Sequence, residues 1–392
     1  MTVSLAWIIL LGLFSDYLFR KLRLPGLIGM LLTGMLMGPY AFNMIDPALM
    51  TLSSDFRMTA LIVILLRAGL ATRKDTLNRI GKTVALTGIV PGLFEGLVIM
   101  LIAPYFLNIG YLESAILGFI IAAVSPAVIV PMMVSLIESK KGDRKGIPTL
   151  LLASSSLDNV SAVVIFSGLI GIYEGKSRNI LIKLAEIPFS IVSGIILGIL
   201  IGFILYRVFL KYNPRATKMG MIVIGAAILL TWFENALKPF VFVSSISGVI
   251  AIGFILLEKS EPIAHKVSQK LGKIWVFAEI LLFVLIGAQV NVSVALDAGI
   301  AGALIIFFGL IARSLGVYLS LMHTELDNKE KVFCIVSCIP KASVQAAVGA
   351  VPLAIGIKSG ETMLAIAVLS ILFTAPLGVI AMNALGEKVL QK

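Results

Sequence analysis

The sequence predicts an all-α polytopic membrane protein, with one membrane domain over residues 1–392 and about thirteen transmembrane helices. Apolar residues make up 59% of the chain and charged residues 14%, whereas soluble globular domains have roughly 50% and 25%. Apolar runs long enough to cross about 30 Å of hydrocarbon recur along the whole chain. Short connections between these runs carry nearly all of the charge, which is the pattern of a polytopic helical protein.

The predicted spans follow one another closely and are continuously apolar, whereas the strands of a membrane barrel alternate apolar and polar residues. The first span has no basic segment before it and no small-residue cleavage pattern, so we expect it to be retained. The longest polar connection, residues 258–273, has about sixteen residues and leaves no room for a soluble domain. We place the spans near residues 2–19, 27–42, 58–71, 84–106, 112–136, 149–173, 187–206, 219–233, 240–257, 274–290, 298–322, 332–353 and 362–386.

The net charge of +11 comes from basic residues whose distribution follows the predicted topology. Alternate connections hold 23 Lys and Arg residues on one side of the membrane and six on the other. We expect the protein to lie in the inner or plasma membrane of the cell. The positive-inside rule then places its N-terminus outside and its C-terminus in the cytoplasm. We therefore interpret the basicity as an orientation signal and expect lipid, not nucleic acid, as the surrounding partner.

The chain resembles itself at an offset of about 220 residues. The run GMLLTG at 29–34 resembles GVIAIG at 248–253, and LLRAGL at 65–70 lies opposite LIGAQV at 285–290. The repeated helices are seven spans apart, so the two halves would have opposite orientations in the membrane. We predict a first inverted repeat over 27–173, connecting helices over 187–233 and a second repeat over 240–386, an arrangement typical of secondary transporters.

Prolines interrupt two predicted spans at corresponding places in the two halves. Pro126 and Pro131 lie within the span 112–136, and Pro340 lies in the span 332–353 just before Lys341. A broken helix exposes backbone groups and dipole ends that can coordinate an ion. One such proline could be an ordinary kink, but two symmetric ones favour a pair of broken helices at an ion site.

Three basic residues lie inside predicted spans, where ionisable groups are costly and need partners or water. They are Arg67, Arg313 and Lys341. Glu95 and Arg313 occupy corresponding helices of the two repeats and are expected to pair. Arg67 and Glu279 are a second possible pair. A desolvated Lys releases its proton more readily than Arg, so Lys341 is the better candidate for proton coupling.

Asp158 lies near the middle of the span 149–173, among the small hydroxyl residues of the run SSSLDNVS. A hard cation such as Na⁺ prefers oxygen ligands, which a carboxylate, an amide, hydroxyls and freed backbone carbonyls supply. Burial and nearby cations act in opposite directions on a carboxylate's proton affinity, so one such group could exchange a proton for a cation. The competing interpretation is a structural salt bridge from Asp158 to Lys341 or Arg313.

Three runs together resemble the cation:proton antiporter superfamily, in the sodium/proton exchanger branch shared by bacteria and by animal mitochondria and plasma membranes. They are AAVSPAVIVP at 122–131, KGIPTL at 145–150 leading into LDNV at 157–160, and IPKASVQAAVG at 339–349. The resemblance covers nearly the whole chain. It implies a homodimer in which each protomer has a dimerisation domain and a mobile core with two crossed broken helices. The core would move like an elevator, exchanging Na⁺ or Li⁺ for protons, with no resident cofactor and no enzymatic activity.

The resemblance also assigns roles by position. Asp158 and Asn159 match the family's paired acidic residues, Ser125 and the backbone of Val124 match its broken-helix ion ligands, and Lys341 matches the basic residue of the second broken helix. Glu95 with Arg313 resembles its buried salt bridge, and Asp158, Asn159 and Ser125 would be the Na⁺ ligands. Asn159 departs from the usual pattern of two acids, since an amide oxygen can ligate a cation but cannot titrate.

The departure at Asn159 leaves two readings of the function open. In the first, Asp158 is the carrier and exchanges a monovalent cation for a proton, with Na⁺ or Li⁺ as the expected cation and K⁺ as a further candidate. In the second, the chain is a transport-inactive, channel-like or regulatory member of the same fold. The sequence does not decide between these readings.

Overall fold

A computed structural model of the chain describes residues 1–22, 26–72, 74–142, 144–174, 180–237, 243–291, 296 and 299–390. In these ranges the regular structure is helical throughout, which confirms the predicted fold class. The helices are α1 (Thr2–Lys21), α2 (Gly26–Met37), α3 (Pro47–Thr51), α4 (Ser53–Ala71), α5 (Lys74–Leu107), α6 (Tyr111–Ala122), α7 (Pro126–Glu138), α8 (Ile147–Tyr173), α9 (Ile180–Tyr212), α10 (Ala216–Leu237), α11 (Ser245–Lys259), α12 (Glu261–Ala288), α13 (Gly299–Ser320), α14 (Asn328–Ser337), α15 (Ser343–Val348), α16 (Val351–Ala354) and α17 (Gly360–Val389).

Every predicted span overlaps at least one helix, and the spans 112–136 and 332–353 each contain a break between helices. The first residues of the span 240–257, 240–242, lie outside the described ranges. Within the described ranges, nine helical stretches are both long and apolar enough to cross a membrane. The other predicted spans lie on helices outside these nine, among them the shorter helices α2 with 12 residues and α11 with 15. The total of thirteen spans therefore stays a prediction.

The structure corrects the prediction that residues 258–273 form a connection. Most of this stretch is the first half of α12, which begins at Glu261 and carries Pro262 in its first turn, where the missing N–H costs nothing. Ile263, Val267 and Leu271 recur four residues apart and are buried, so they form the apolar stripe of an amphipathic helix. A hydropathy average along the sequence does not detect the first half of α12, because the face opposite the apolar stripe is polar.

The helices pack in two groups. The first, here called the scaffold, contains α1, α2, α4 and α9–α12; the second, here called the core, contains α5–α8 and α13–α17. The main contacts between the groups are those of α7 and α8 with α4, α9 and α11. An interface formed by so few elements leaves each group largely packed within itself.

The contacts of the scaffold are reciprocal between the halves of the chain. Helix α2 packs against α12, and α11 packs against α4. Glycines allow both close approaches: Gly34 lies against Gly287, and Gly253 against Gly69, so that a Cβ at Gly34 or Gly253 would meet the partner's backbone. These glycines include residues of the repeated motifs. A small residue at such a crossing lets two membrane helices pack closely.

Two breaks in the core helices meet. Helix α6 ends at Ala122 and α7 begins at Pro126, because a proline disfavours helical geometry in the residue before it and suits the first turn of a new helix. The second break separates α14 from α15 and contains Pro340. The Ser125 N–H donates to the Pro340 carbonyl at 2.9 Å, so the breaks are directly bonded at what we call the crossing.

Pro131 does not take part in a break, contrary to the expectation that both prolines of the first span interrupt the helix. Helix α7 continues through Pro131 to Glu138. Membrane helices tolerate an internal proline when neighbouring groups satisfy the freed carbonyl. The first break therefore belongs to Pro126.

Candidate functional site

Asp158 lies on α8 where that helix passes the crossing, and its carboxylate is buried. Oδ2 accepts a hydrogen bond from the Val124 N–H at 2.8 Å, in the first break. Oδ1 accepts one from Nη2 of Arg313 at 2.9 Å. Gly92 on α5 faces Oδ1, because a Cβ added at this glycine would lie 2.9 Å from that oxygen. The carboxylate of Asp158 is thus enclosed by the first break, the Arg313 guanidinium and Gly92.

Arg313 on α13 links both breaks to the carboxylates. Its Nη1 lies 2.7 Å from Oε2 of Glu95 and also donates to the Ala122 carbonyl at the end of α6. Its Nε donates to the Cys338 carbonyl at 2.6 Å, at the end of α14. The expected ion pair of Glu95 with Arg313 is present, and the same guanidinium also binds Asp158. Guanidinium's five donors in a fixed plane allow one residue to satisfy so many acceptors.

Lys341, in the second break, is fully buried and donates through Nζ to Oε2 of Glu95 at 2.7 Å. Its backbone N–H donates to Oγ1 of Thr374 on α17 at 2.8 Å. Of the two partners considered for Asp158, the carboxylate therefore binds Arg313, while Lys341 binds Glu95. Sequence alone could not distinguish these pairings, because it does not give side-chain direction.

Asn159 is buried beside Asp158, and its amide is half satisfied. Nδ2 donates to the Ser155 carbonyl at 2.7 Å, one helical turn back, and Oδ1 has no hydrogen-bond partner. Ser125 is fully buried and its backbone reaches the second break. The predicted residues Val124, Ser125, Asp158, Asn159 and Lys341 thus all lie at or next to the crossing. A buried acceptor without a donor is costly unless a proton donor, water or cation meets it.

Residues that the sequence analysis missed support this arrangement. Gln345 at the start of α15 donates through Nε2 to three carbonyls at the end of α6 and in the first break, those of Ile120, Ile121 and Ala123. Gly92 gives Asp158 room. Gln345 lies in one of the recognised motifs, which could have pointed to it, whereas nothing in the sequence distinguishes Gly92 from other helical glycines.

Arg67 has a different partner from the one considered in the sequence analysis. Its Nη2 binds Oε1 of Glu138 at 2.7 Å, at the end of α7. The pair joins the scaffold to the core and borders a cavity of about 940 Å³ that also contacts Lys140, Glu258 and His265. Asp158 is not among the residues that line this cavity.

Among the described residues, the buried side-chain polar atoms near the crossing that lack a hydrogen-bond partner are all acceptors. They are Oε1 of Glu95, Oδ1 of Asn159 and Oε1 of Gln345. Among the described residues, no group of three or more His, Cys, Asp or Glu side chains could hold a metal ion. A cation here would therefore have at most two carboxylates as ligands and would also need amide, hydroxyl or backbone oxygens, a donor set suited to weak, reversible binding of a hard monovalent ion.

Comparison with known proteins gives the same picture over nearly the full length. The sequence model of the sodium/hydrogen exchanger transmembrane family matches residues 6–388. Human sodium/hydrogen exchanger 9B1 is 30% identical over 386 residues, covering 94% of this chain and 73% of that protein. Human sodium/hydrogen exchanger 9B2 is 32% identical over 390 residues, covering 94% and 70%.

A solved structure shares the fold. The sodium proton antiporter MjNhaP1 from Methanocaldococcus jannaschii, at pH 8, superposes with a TM-score of 0.80 and 23% identity, covering 99% of this chain and 98% of its own. From this shared fold and the family match, the chain is a multi-pass membrane protein that belongs to the sodium/hydrogen exchanger family, and its function class is cation:proton antiport.

Proposed function

We propose that this chain exchanges Na⁺ or Li⁺ for a proton, with Asp158 as the group that holds the two cations by turns. K⁺ is a third candidate cation. The observation that carries the proposal is the position of Asp158: a buried carboxylate whose oxygens bond one broken helix and Arg313. Proton and cation compete for the same two oxygens, so binding of one requires release of the other.

Asn159 contributes an oxygen to the proposed cation site. Its Oδ1 is buried without a partner, while Nδ2 is fixed on the Ser155 carbonyl. Ser125 and the Val124 backbone complete the proposed Na⁺ ligands, at the break where helical bonding is interrupted. Each carboxylate oxygen has two lone pairs, so an incoming cation can bind Asp158 beside the Val124 N–H, where it competes with the positive charge of Arg313. This competition keeps the affinity of the site for the cation moderate, so that a carrier can also release it.

Elevator-type alternating access accounts for transport across the membrane. The core carries Asp158 and both breaks, and its main contacts with the scaffold are those of α7 and α8. The scaffold's reciprocal glycine crossings fit two inverted repeats over 27–173 and 240–386, joined by the connecting helices at 187–233. Movement of the core as one body past the scaffold would expose Asp158 to each side in turn.

The proposed setting is the cell's inner or plasma membrane, with the N-terminus outside, the C-terminus cytoplasmic and two copies in a homodimer. The distribution of basic residues supports the orientation. Cysteines placed at Asn108 and at Lys141, in connections predicted on opposite sides, test it: an impermeant thiol reagent should label the first in intact cells and the second after lysis.

Asp158→Asn tests the mechanism in proteoliposomes, with Na⁺-driven or Li⁺-driven pH change as the readout. We expect exchange to fall to background, because an amide cannot release a proton. Asp16→Asn is the matched control: Asp16 also pairs with an arginine, Arg20 at 2.8 Å, but on α1 away from the crossing. Full exchange by the Asp158 variant would contradict the proposed role.

A second function, a transport-inactive, channel-like or regulatory protein, is favoured by one observation. Both oxygens of Asp158 are already bonded, and Asn159 cannot titrate. Asn159→Asp separates the two functions. Exchange by the parent supports the carrier role of Asp158, whereas an inactive parent together with an active Asn159→Asp variant would establish that Asp158 by itself cannot complete the cycle.

A further inference from the structure

Gln345 joins the second broken helix to the first. Its side chain is buried, and Nε2 lies 3.0 Å from the Ile120 carbonyl oxygen, 3.2 Å from that of Ile121 and 2.7 Å from that of Ala123. Because α6 ends at Ala122, the last carbonyls of this helix lack the N–H partners that a continuing helix would provide. Gln345 replaces those partners from across the crossing.

The contact with Ala123 reaches Asp158 through one peptide group. The carbonyl of Ala123 and the N–H of Val124 belong to the same planar trans unit, so they point in opposite directions. Gln345 holds the carbonyl, and Oδ2 of Asp158 accepts from the N–H at 2.8 Å. When Gln345 holds the Ala123 carbonyl, the direction of the Val124 N–H is therefore held as well.

The orientation of the Gln345 amide follows from its surroundings. Rotation of the amide by half a turn would place Oε1 against three carbonyl oxygens, with no hydrogen between them. The NH₂ group must therefore face α6. Oε1 then points elsewhere, and it is buried without a partner.

We propose that Gln345 is a positioning residue for exchange at Asp158: its amide holds the Ala123–Val124 peptide plane so that the Val124 N–H bonds the ionised carboxylate. The proposal rests on the proposed function for its transport consequence, but not for its structural one. Donation by an N–H stabilises an ionised carboxylate against protonation. Loss of Gln345 should therefore favour the proton over the cation.

Two variants separate hydrogen bonding from packing. Gln345→Met keeps the length of the side chain and removes the donors. Gln345→Glu keeps the shape, but an ionised carboxylate would face three carbonyl oxygens, and a protonated one can donate a single hydrogen bond. Gln289→Glu is the matched control, because Nε2 of Gln289 donates to Oγ of Ser53 at 3.1 Å, and a hydroxyl can turn to donate to a carboxylate.

The first measurement is amide hydrogen exchange of the segment 119–128 in the full-length protein in lipid nanodiscs. We expect the Val124 amide to exchange about tenfold faster or more in Gln345→Met, the effect of losing one or two net hydrogen bonds, and no change in Gln289→Glu. Unchanged protection of Val124 in a Gln345→Met protein that melts like the parent would overturn the proposal.

The second measurement is the pH profile of Na⁺-driven exchange. Of the charged and titratable side chains around Asp158, Arg313 binds its carboxylate, Glu95 binds both Arg313 and Lys341, and the Cys338 thiol is buried nearby. These variants leave all four in place. We expect half-maximal exchange at higher pH in Gln345→Met, with the apparent KM for Na⁺ raised about tenfold and kcat changed less. In Gln345→Glu, exchange relative to Gln345→Met should fall further as pH rises.

A purely structural role predicts equal losses in the two variants at every pH and an unchanged KM, and that result would also overturn the proposal. A parent that exchanges no ions would contradict the proposed function, and the hydrogen-exchange measurement would still decide whether Gln345 positions Val124.

Discussion

Gly92 shows how tightly the carboxylate of Asp158 is enclosed. A Cβ at this position would lie 2.9 Å from Oδ1, closer than ordinary contact allows, and the shift would have to be taken by Asp158 itself. Gly81 on the same helix has open space around its Cα. The two glycines therefore have different reasons to occur in α5.

Substitution of Gly92 by Ala should impair exchange without weakening helix α5 itself. Alanine favours a helix by about 1 kcal/mol over glycine, so a loss of activity cannot come from helix propensity. We expect the exchange rate at sub-saturating Na⁺ to fall about tenfold or more, because the methyl displaces the carboxylate from Arg313. Proteoliposome flux measures the change, with Gly81→Ala as the control. Equal rates for the two variants would show that Oδ1 has room to move.

The sequence predicted several of these residues because charge inside an apolar span is rare. Glu95, Asp158, Arg313 and Lys341 stand out for that reason. Their pairing did not follow in full: Glu95 bridges both cations, an arrangement that depends on side-chain direction at the crossing. A glycine or a glutamine gives no comparable signal, because each has an ordinary place in a membrane helix.

The pair of Arg67 and Glu138 joins α4 of the scaffold to α7 of the core. It lies at the edge of the large cavity, with side-chain exposures of 13% and 54%. Partly exposed pairs contribute about 1 kcal/mol or less, which is enough to change a two-state equilibrium severalfold. Because this pair joins the scaffold to the core, it favours the arrangement of the two groups in which it forms.

Glu138→Gln should therefore reduce the population of the conformation described here. A cysteine replacing Gln269, which lines the cavity, reports on it. We expect alkylation of that cysteine to slow by up to about fivefold in Glu138→Gln. Glu261→Gln is the control, because Glu261 pairs with His265 on its own helix, within one body. Equal slowing in both variants would indicate a general effect of charge in the cavity.

Helix boundaries were predictable where the apolar pattern was strong. The break before Pro126 was recognisable from sequence, but the continuation of α7 through Pro131 was not, since local packing decides whether a proline interrupts a helix. The start of α12 at Glu261 was missed because its polar face borders the large cavity and its apolar face is narrow. A helical period was present there, and a hydropathy average hides it.

At the scale of the whole molecule, the predicted repeat rests on glycines that lie at helix crossings. Gly34 permits the close approach of α2 to α12, and Gly253 permits that of α11 to α4. The glycines of α9 at Gly194 and Gly198 similarly pack against α11, at Ser244 and Gly248, so this face is used within the chain. The resemblance implied a dimerisation domain and a core, but the sequence did not assign every helix to one of them, because that assignment depends on which apolar faces meet.

The ion pairs at the crossing have a consequence for membrane voltage. Two acids, Glu95 and Asp158, face two bases, Arg313 and Lys341, so the set without cargo carries no net charge. Loaded with either a proton or a monovalent cation, it carries the same single positive charge. A potential acts on each moving charge with about 2.3 kcal/mol per 100 mV, but equal charges moving in opposite directions cancel.

An imposed potential should accordingly do no net work on this exchanger. With equal Na⁺, K⁺ and pH on both sides, a diffusion potential of about 100 mV set by a permeant anion should move no protons through the parent. Asn159→Asp adds a titratable acid and should make the same vesicles respond. Proton movement in the parent that disappears in Asp158→Asn would refute the cancellation. If the parent moves no protons under this potential, the amide of Asn159 matters to the cell less as an oxygen ligand than because it makes exchange independent of the membrane potential.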